Sequence, residues 1–317
     1  MKTIIKVALP SALFVAAVLT AVNLTGSHTD ASALRARLAE QPADPSAGIC
    51  WPLRFYGVRG SGETTSEGNG YGTTVQQFEQ TLTGDKMTGL GYLPVTEVEY
   101  PAIPFGYAWQ DYTSSYDNSV AAGENALQTD LIDLWHQCPS TRVVLAGYSQ
   151  GAQVAGDVAD TLKLPQRARI AAVALFGDPE FNGRQPEADV AATGYSPHRG
   201  GIIVKWPGMH STLRDVPQDL VPRFHSYCIK DDPICNWTAQ WTAICWVMRL
   251  PGWPDRQICP HAGYVGQQWP KVAAYWAADL IHHMQLPGNI TCPRATRVRA
   301  FPGWCTLLLN LLAAVGA

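Results

Sequence analysis

Charged residues are scarce in this 317-residue chain: Asp, Glu, Lys and Arg make up 15% of it, against 46% hydrophobic residues. The formal net charge of −3 leaves no basic excess, which excludes a protein built to grip nucleic acid. None of the eight cysteines stands in a C-x-x-C pair, which argues against a zinc ribbon. No unbroken apolar run reaches the ~20 residues a membrane-spanning helix needs, since the stretch Ala8–Val22 is interrupted by Pro10 and Ser11. There is no internal repeat. What remains is a chain with a large core, a quiet surface and an even number of cysteines, the profile of an exported globular protein held by disulfides.

The N-terminus fits export: Lys2 and Lys6 precede the apolar stretch, and Ala31-Ser32-Ala33 offers a small-residue cleavage site. Residues 1–33 are therefore read as a signal peptide. Residues 34–49 are a polar, proline-containing lead-in, 50–290 the folded domain and 291–317 a C-terminal extension.

The most informative stretch is Gly147-Tyr148-Ser149-Gln150-Gly151, a G-x-S-x-G pentapeptide. Arg142-Val143-Val144-Leu145-Ala146 before it reads as a buried strand. After it, Ala152, Ala155, Val158, Ala159 and Leu162 recur at helical spacing. A strand running directly into a helix must turn sharply, and the flanking glycines permit that bend while the serine is held out at the sheet edge. The unmet N–H groups of the following helix then face a developing oxyanion. Pentapeptide and setting together point to a serine hydrolase.

Around this element the chain alternates. Strands are expected at Leu53–Val58, Val95–Tyr100, Arg142–Ala146, Ile170–Phe176 and Gly201–Trp206. Helices are expected near 73–82, 119–135, 150–162 and 266–286. An aromatic loop spans Pro101–Tyr112, and a glycine-rich turn, Arg59-Gly60-Ser61-Gly62-Glu63, follows the first strand. Such alternation builds one three-layer α/β-hydrolase-type domain, a mainly parallel sheet with helices on both faces.

A serine hydroxyl needs a base, and the base a carboxylate that orients it. In sheets of this kind the chain order is serine, acid, histidine. His28 and His136 precede the serine, and His282 and His283 fall within the last helix, leaving His198, His210, His225 and His261. Asp178, Asp231 and Asp232 are the acid candidates; Asp178 begins an Asp-Pro turn, and Asp231-Asp232-Pro233 sits in a loop that Cys228 and Cys235 would close. Spacing alone does not choose among them.

Together, Arg59-Gly60-Ser61, Gly147-Tyr148-Ser149-Gln150-Gly151, Cys228-x-x-x-Asp232-Pro233-Ile234-Cys235 and His261-x-x-Tyr264 closely resemble the cutinase family, in the family's order, from about Cys50 to Leu286. The resemblance implies Ser149 as nucleophile, His261 as general base and Asp232 as orienting acid. It implies an oxyanion hole from the Gln150 backbone N–H and the hydroxyl and N–H of Ser61. It also implies Cys50–Cys138 and Cys228–Cys235 disulfides. The expected activity is hydrolysis of fatty-acyl, polyester or envelope-lipid esters by a secreted or cell-surface monomer that uses no cofactor and no metal. Two alternatives stand beside it: an acetyl esterase acting on acetylated polysaccharide, and a non-catalytic lipid-binding surface protein.

Two segments depart from the resemblance. Asp232 and His261 are 29 positions apart, and the interval holds Trp237, Trp241, Trp246 and Trp253, with Cys245 and Cys259 placed to pin its ends. Amphipathic rings suit a lid or acyl-chain wall as well as a small satellite core. In the C-terminal extension, Arg294, Arg297 and Arg299 precede an apolar run from Leu307 to Val315, with Cys292 and Cys305 placed to bridge. That run suits packing as a terminal element, or contact with a lipid surface beside its basic flank.

Overall fold

The computed structural model describes residues 49–104, 109–185, 188–189, 200–204, 212–247, 259–284 and 286. The expected signal peptide, almost all of the lead-in, and the C-terminal extension with Cys292 and Cys305 lie outside the described residues, as do His198, His210 and Trp253.

Among the described residues, six strands form one parallel sheet: β1 (Leu53–Val58), β2 (Val95–Glu97), β3 (Arg142–Tyr148), β4 (Ile170–Phe176), β5 (Ala188–Asp189) and β6 (Phe224–Tyr227), in the order β2-β1-β3-β4-β6-β5. The helices are α1 (Thr73–Gly84), α2 (Trp109–Gln137), α3 (Gln150–Thr161), the short α4 (Leu164–Arg167), α5 (Ala239–Val247) and α6 (Trp269–His282). Because side chains alternate along a strand, the central strands feed two separate cores. Tyr56, Val58, Val143, Leu145, Val173 and Leu175 pack with α2 and α3. Phe55, Val144, Ala146, Ala172, Ala174 and Phe176 pack with α1 and α6 on the other face. Burial on both faces is why β3 and β4 read as continuous apolar runs rather than alternating ones.

The sheet differs from expectation in places. The strand expected at Gly201–Trp206 is, where described, a single 3-10 turn at Ile202–Val204. The backbone donors of this stretch are spent on loops: Gly201 N–H on Phe181 O (2.9 Å), Ile202 N–H on Ile234 O (2.7 Å) and Ile203 N–H on Pro179 O (3.2 Å). The place beside β4 belongs instead to β6, which pairs Phe224–Tyr227 with Val173–Phe176. β2 stops at Glu97 because the buried Arg59 guanidinium takes the carbonyls of Val98 (3.3 Å) and Tyr100, diverting the chain from the ladder. α2 begins at Trp109, within the expected aromatic loop and ten positions before the expected start; its Ser/Asp/Asn-rich first turns read locally as a boundary, but tertiary context carries the helix through them. α6 is shorter at its start than 266–286, where Pro270 sets the first turn.

Among the described residues, three disulfides are present: Cys50–Cys138, Cys228–Cys235 and Cys245–Cys259. The first ties the chain just before β1 to the segment between α2 and β3. The second closes the short loop that holds Asp232, and the third joins Cys245 of α5 to Cys259, two positions before His261.

Candidate active site

The carboxyl ends of β3, β4 and β6 meet at one edge of the sheet, the place where open α/β sheets bind ligands. At the end of β3 the backbone turns so tightly that Ser149 takes φ 55° and ψ −121°, a conformation rare for a residue with a Cβ. The flanking glycines are required by space. A Cβ on Gly147 would lie 2.1 Å from Gly151 O, and one on Gly151 would lie 2.3 Å from the carbonyls of Val58 and Arg59. The pentapeptide is thus pressed between its own helix and the end of β1.

The structure brings the three resemblance-implied side chains together. His261 Nε2 lies 2.8 Å from Ser149 Oγ. Its Nδ1 meets both carboxylate oxygens of Asp232, at 3.0 and 2.9 Å. Asp232 is fully buried and His261 nearly so. The carboxylate is held further by Ile234 N–H, donating to Oδ1 at 2.8 Å, and by the Tyr264 hydroxyl, donating to Oδ2 at 2.7 Å. An imidazole so placed can take a hydroxyl proton at Nε2 while its Nδ1–H stays on the carboxylate. Burial, with the adjacent Asp232 charge, pushes the Tyr264 phenol well above its usual range, so it stays a donor.

The ring is confined on its remaining sides. Tyr148 stacks on it (centroids 5.0 Å, planes 22° apart), and its hydroxyl donates to His261 O at 2.8 Å. Gly177, at φ +64°, passes so close that a Cβ there would stand 2.8 Å from His261 Cε1 and 3.2 Å from Asp232 Oδ2. In the sequence Tyr264 stands out only as part of a motif, and neither Tyr148 nor Gly177 carries an expected role. Gly177, directly after an apolar strand, was the one available signal for a close backbone approach.

The other candidates sit elsewhere. Asp178 is fully buried, but its Oδ2 accepts from Arg214 Nε at 2.8 Å. Asp231 turns the chain at φ 65° beside Asp232. His225 lies on β6, stacked on Trp276 with centroids 4.2 Å apart. Near the elbow, Gln150 is the first residue of α3, so its backbone N–H has no intrahelical acceptor. Ser61 occupies the second position of a turn closed by Glu63 N–H on Gly60 O (3.1 Å), with Gly62 supplying the positive φ (76°) that a type II turn needs at its third residue.

The Trp-rich interval carries helix α5, which sequence reasoning did not foresee. It begins just after Trp237, whose N–H bonds Gly200 O at 3.2 Å, and contains Cys245 of the third disulfide.

Among known proteins, a cutinase of Hypocrea jecorina is 30% identical over 183 residues, 58% of this chain. Another, from Blumeria hordei, is 31% identical over 161 residues, 51% of the chain. The matches span 66% and 64% of those two cutinases, a little under two thirds of their own length. A protein of Mycobacterium tuberculosis named carboxylesterase Culp1 is 28% identical over 220 residues, covering 69% of this chain and 78% of its own. Among solved structures, the catalytic core domain of acetyl xylan esterase from Trichoderma reesei aligns with TM-score 0.52 at 21% identity, covering 73% of this chain and 99% of that one. A cutinase-like protein from Cryptococcus aligns with TM-score 0.51 at 17% identity, covering 72% and 94%. These two share the fold. The profile of the cutinase family matches residues 49–249, well over half of the sequence, and the chain belongs to that family.

Proposed function

We propose that the protein is an exported serine esterase that cleaves carboxylic esters through an acyl-enzyme, with Ser149, His261 and Asp232 as its triad. The observation that carries this reading is the line of contacts at the sheet edge: Ser149 Oγ to His261 Nε2 at 2.8 Å, and His261 Nδ1 to the buried Asp232 at 2.9 Å. Ser149 Oγ attacks the ester carbonyl carbon as Nε2 takes its proton. The tetrahedral oxyanion is held by the Gln150 N–H and by the hydroxyl and N–H of Ser61. Collapse expels the alkoxide, which receives the proton from Nε2 and leaves as the alcohol. Water then adds to the acyl-enzyme by the same route in reverse, releasing the carboxylic acid and restoring Ser149. Asp232 keeps the imidazole in the tautomer with Nδ1 protonated.

Export is supported by the three disulfides, which persist in oxidising compartments. The test is labelling by a fluorophosphonate probe together with initial rates on p-nitrophenyl esters of increasing acyl length, with Ser149→Ala as control. Labelling lost in the variant, with rates sustained beyond butyryl, is expected. A steep preference for acetyl would instead assign the protein to acetylated polysaccharide. No labelling of the wild type would leave a non-catalytic lipid-binding scaffold.

A further inference from the structure

Helix α1 begins without a cap of its own. Its N-cap residue is Gly72, which has no side chain to offer the orphaned N–H groups of the first turn. A carboxylate ten positions upstream does this instead: Glu63 Oε1 accepts from the Thr73 N–H at 3.1 Å. Its other oxygen, Oε2, accepts from the Gly60 N–H at 2.6 Å. One side chain therefore clasps both the helix terminus and the first residue of the turn that presents Ser61. The backbone of the same residue closes that turn, through Glu63 N–H to Gly60 O, and its carbonyl accepts from Arg59 Nε at 3.1 Å.

The surroundings are shaped to this clasp. A Cβ on Gly72 would fall 2.0 Å from Glu63 Oε2, so the glycine at the cap position, at φ +81°, makes room for the carboxylate as much as it turns the chain. α1 itself is fixed to the sheet by Val75, Phe78 and Leu82, all fully buried. It is a rigid post, whereas Ser61 sits in a partly exposed turn with glycines on both sides.

From this geometry we infer that Glu63 is a positioning residue for catalysis: by tying Gly60 to the N-terminus of α1, it holds the Ser61 turn where its hydroxyl and N–H can meet the oxyanion. The inference rests on the esterase reading given above. An oxyanion donor displaced by a fraction of an ångström loses most of its effect, because its bond forms only to the transition state. The loss therefore falls on kcat and leaves KM nearly unchanged.

The experiment compares wild type, Ser149→Ala, Ser61→Ala, Glu63→Gln, Glu63→Asp and the Ser61→Ala/Glu63→Gln double variant, by steady-state kinetics on a short p-nitrophenyl ester and by thermal unfolding. Gln keeps the shape of Glu63 but puts an amide NH₂ where one oxygen accepted. Asp keeps the charge but is too short to reach both N–H groups. In each, kcat is expected to fall roughly ten- to a hundredfold with KM within about twofold. The double variant is expected to lose little more than the worse single one, since both act on the same turn. If Glu63→Gln does not fold, Glu63→Asp decides. Wild-type kcat in the folded Glu63 variants, a change confined to KM, or losses that multiply in the double variant would each overturn the inference. Full turnover in Ser149→Ala would instead bring down the esterase reading, and this inference with it.

Discussion

Asp178 and Asp232 are near twins that end in different company. Each begins an Asp-Pro dipeptide beyond the carboxyl end of a parallel strand, and each is fully buried. Each uses Oδ1 to accept the backbone N–H two residues on, from Glu180 at 3.0 Å and from Ile234 at 2.8 Å, the same local Asx turn. They part in the side chains they meet beyond that turn. Asp178 faces Arg214, whose guanidinium also contacts Asp157 (2.9 Å), Asp160 (2.7 Å) and Glu180 (3.2 Å). Asp232 faces the imidazole of His261, whose other nitrogen meets Ser149 Oγ at 2.8 Å. A permanently charged partner makes an ion cluster that holds α3 and two loops together. An imidazole partner, backed by a serine, makes a site capable of catalysis.

Removing each partner is the widest way to separate the two. His261→Gln is expected to lower kcat by roughly 10⁴-fold while leaving the unfolding midpoint close to wild type. Arg214→Met leaves a nest of buried carboxylates without their counter-charge. It is expected to cost about 3–5 kcal/mol of stability, with the activity of the remaining folded protein nearly unchanged. Denaturant titration and active-site-normalised rates measure both; a stable, active His261→Gln would erase the distinction.

A finer test concerns the acceptor side. Only Asp232 receives a phenol, and Tyr264→Phe removes that donor without changing the packed volume. A fall in kcat of roughly tenfold is expected, with about 1.5–3 kcal/mol of stability lost, as for a hydrogen bond to a charged group. Equal rates in the two proteins would show that Ile234 and His261 suffice to hold the carboxylate.

The smallest effect is a slope. In the Arg214 cluster, burial above all pushes carboxyls up: Asp160 to about 6, Glu124 to about 7 and Glu180 to about 10, with Asp157 adding to the rise in each. A carboxyl raised in the folded state holds its proton there when the unfolded chain has released it. Its favourable contribution is complete below the unfolded value and is lost as pH rises toward the folded one. Glu180→Gln, which mimics the protonated form, is therefore expected to show a Tm that gains on wild type as pH rises from about 5 to 8. A constant difference across that range would mean that Glu180 is ionised in the folded protein.

How much of this was legible differs from place to place. The elbow could be read whole, since strand, pentapeptide and helix are contiguous and the glycines answer to local crowding. β6 is not legible: Phe224-His225-Ser226-Tyr227 is four residues long, and its pairing with β4 involves residues 51 positions away. For the opposite reason Gly201–Trp206 reads as a strand, because Ile202 and Ile203 are buried while their backbone N–H groups bond to loops and not to a ladder. Glu63 looked like an ordinary turn residue, as nothing near it in sequence shows that a helix N-terminus will need its carboxylate.

By itself the sequence determined the α/β alternation, the sharp turn at Ser149 and the two Asx turns, because each depends on residues within a few positions of one another. Only the tertiary structure decided which aspartate meets the imidazole, which histidine reaches the serine and which carboxylate caps α1. Those choices depend on where chain segments tens of residues apart are brought together by strand order, and side-chain chemistry carries no record of that distance.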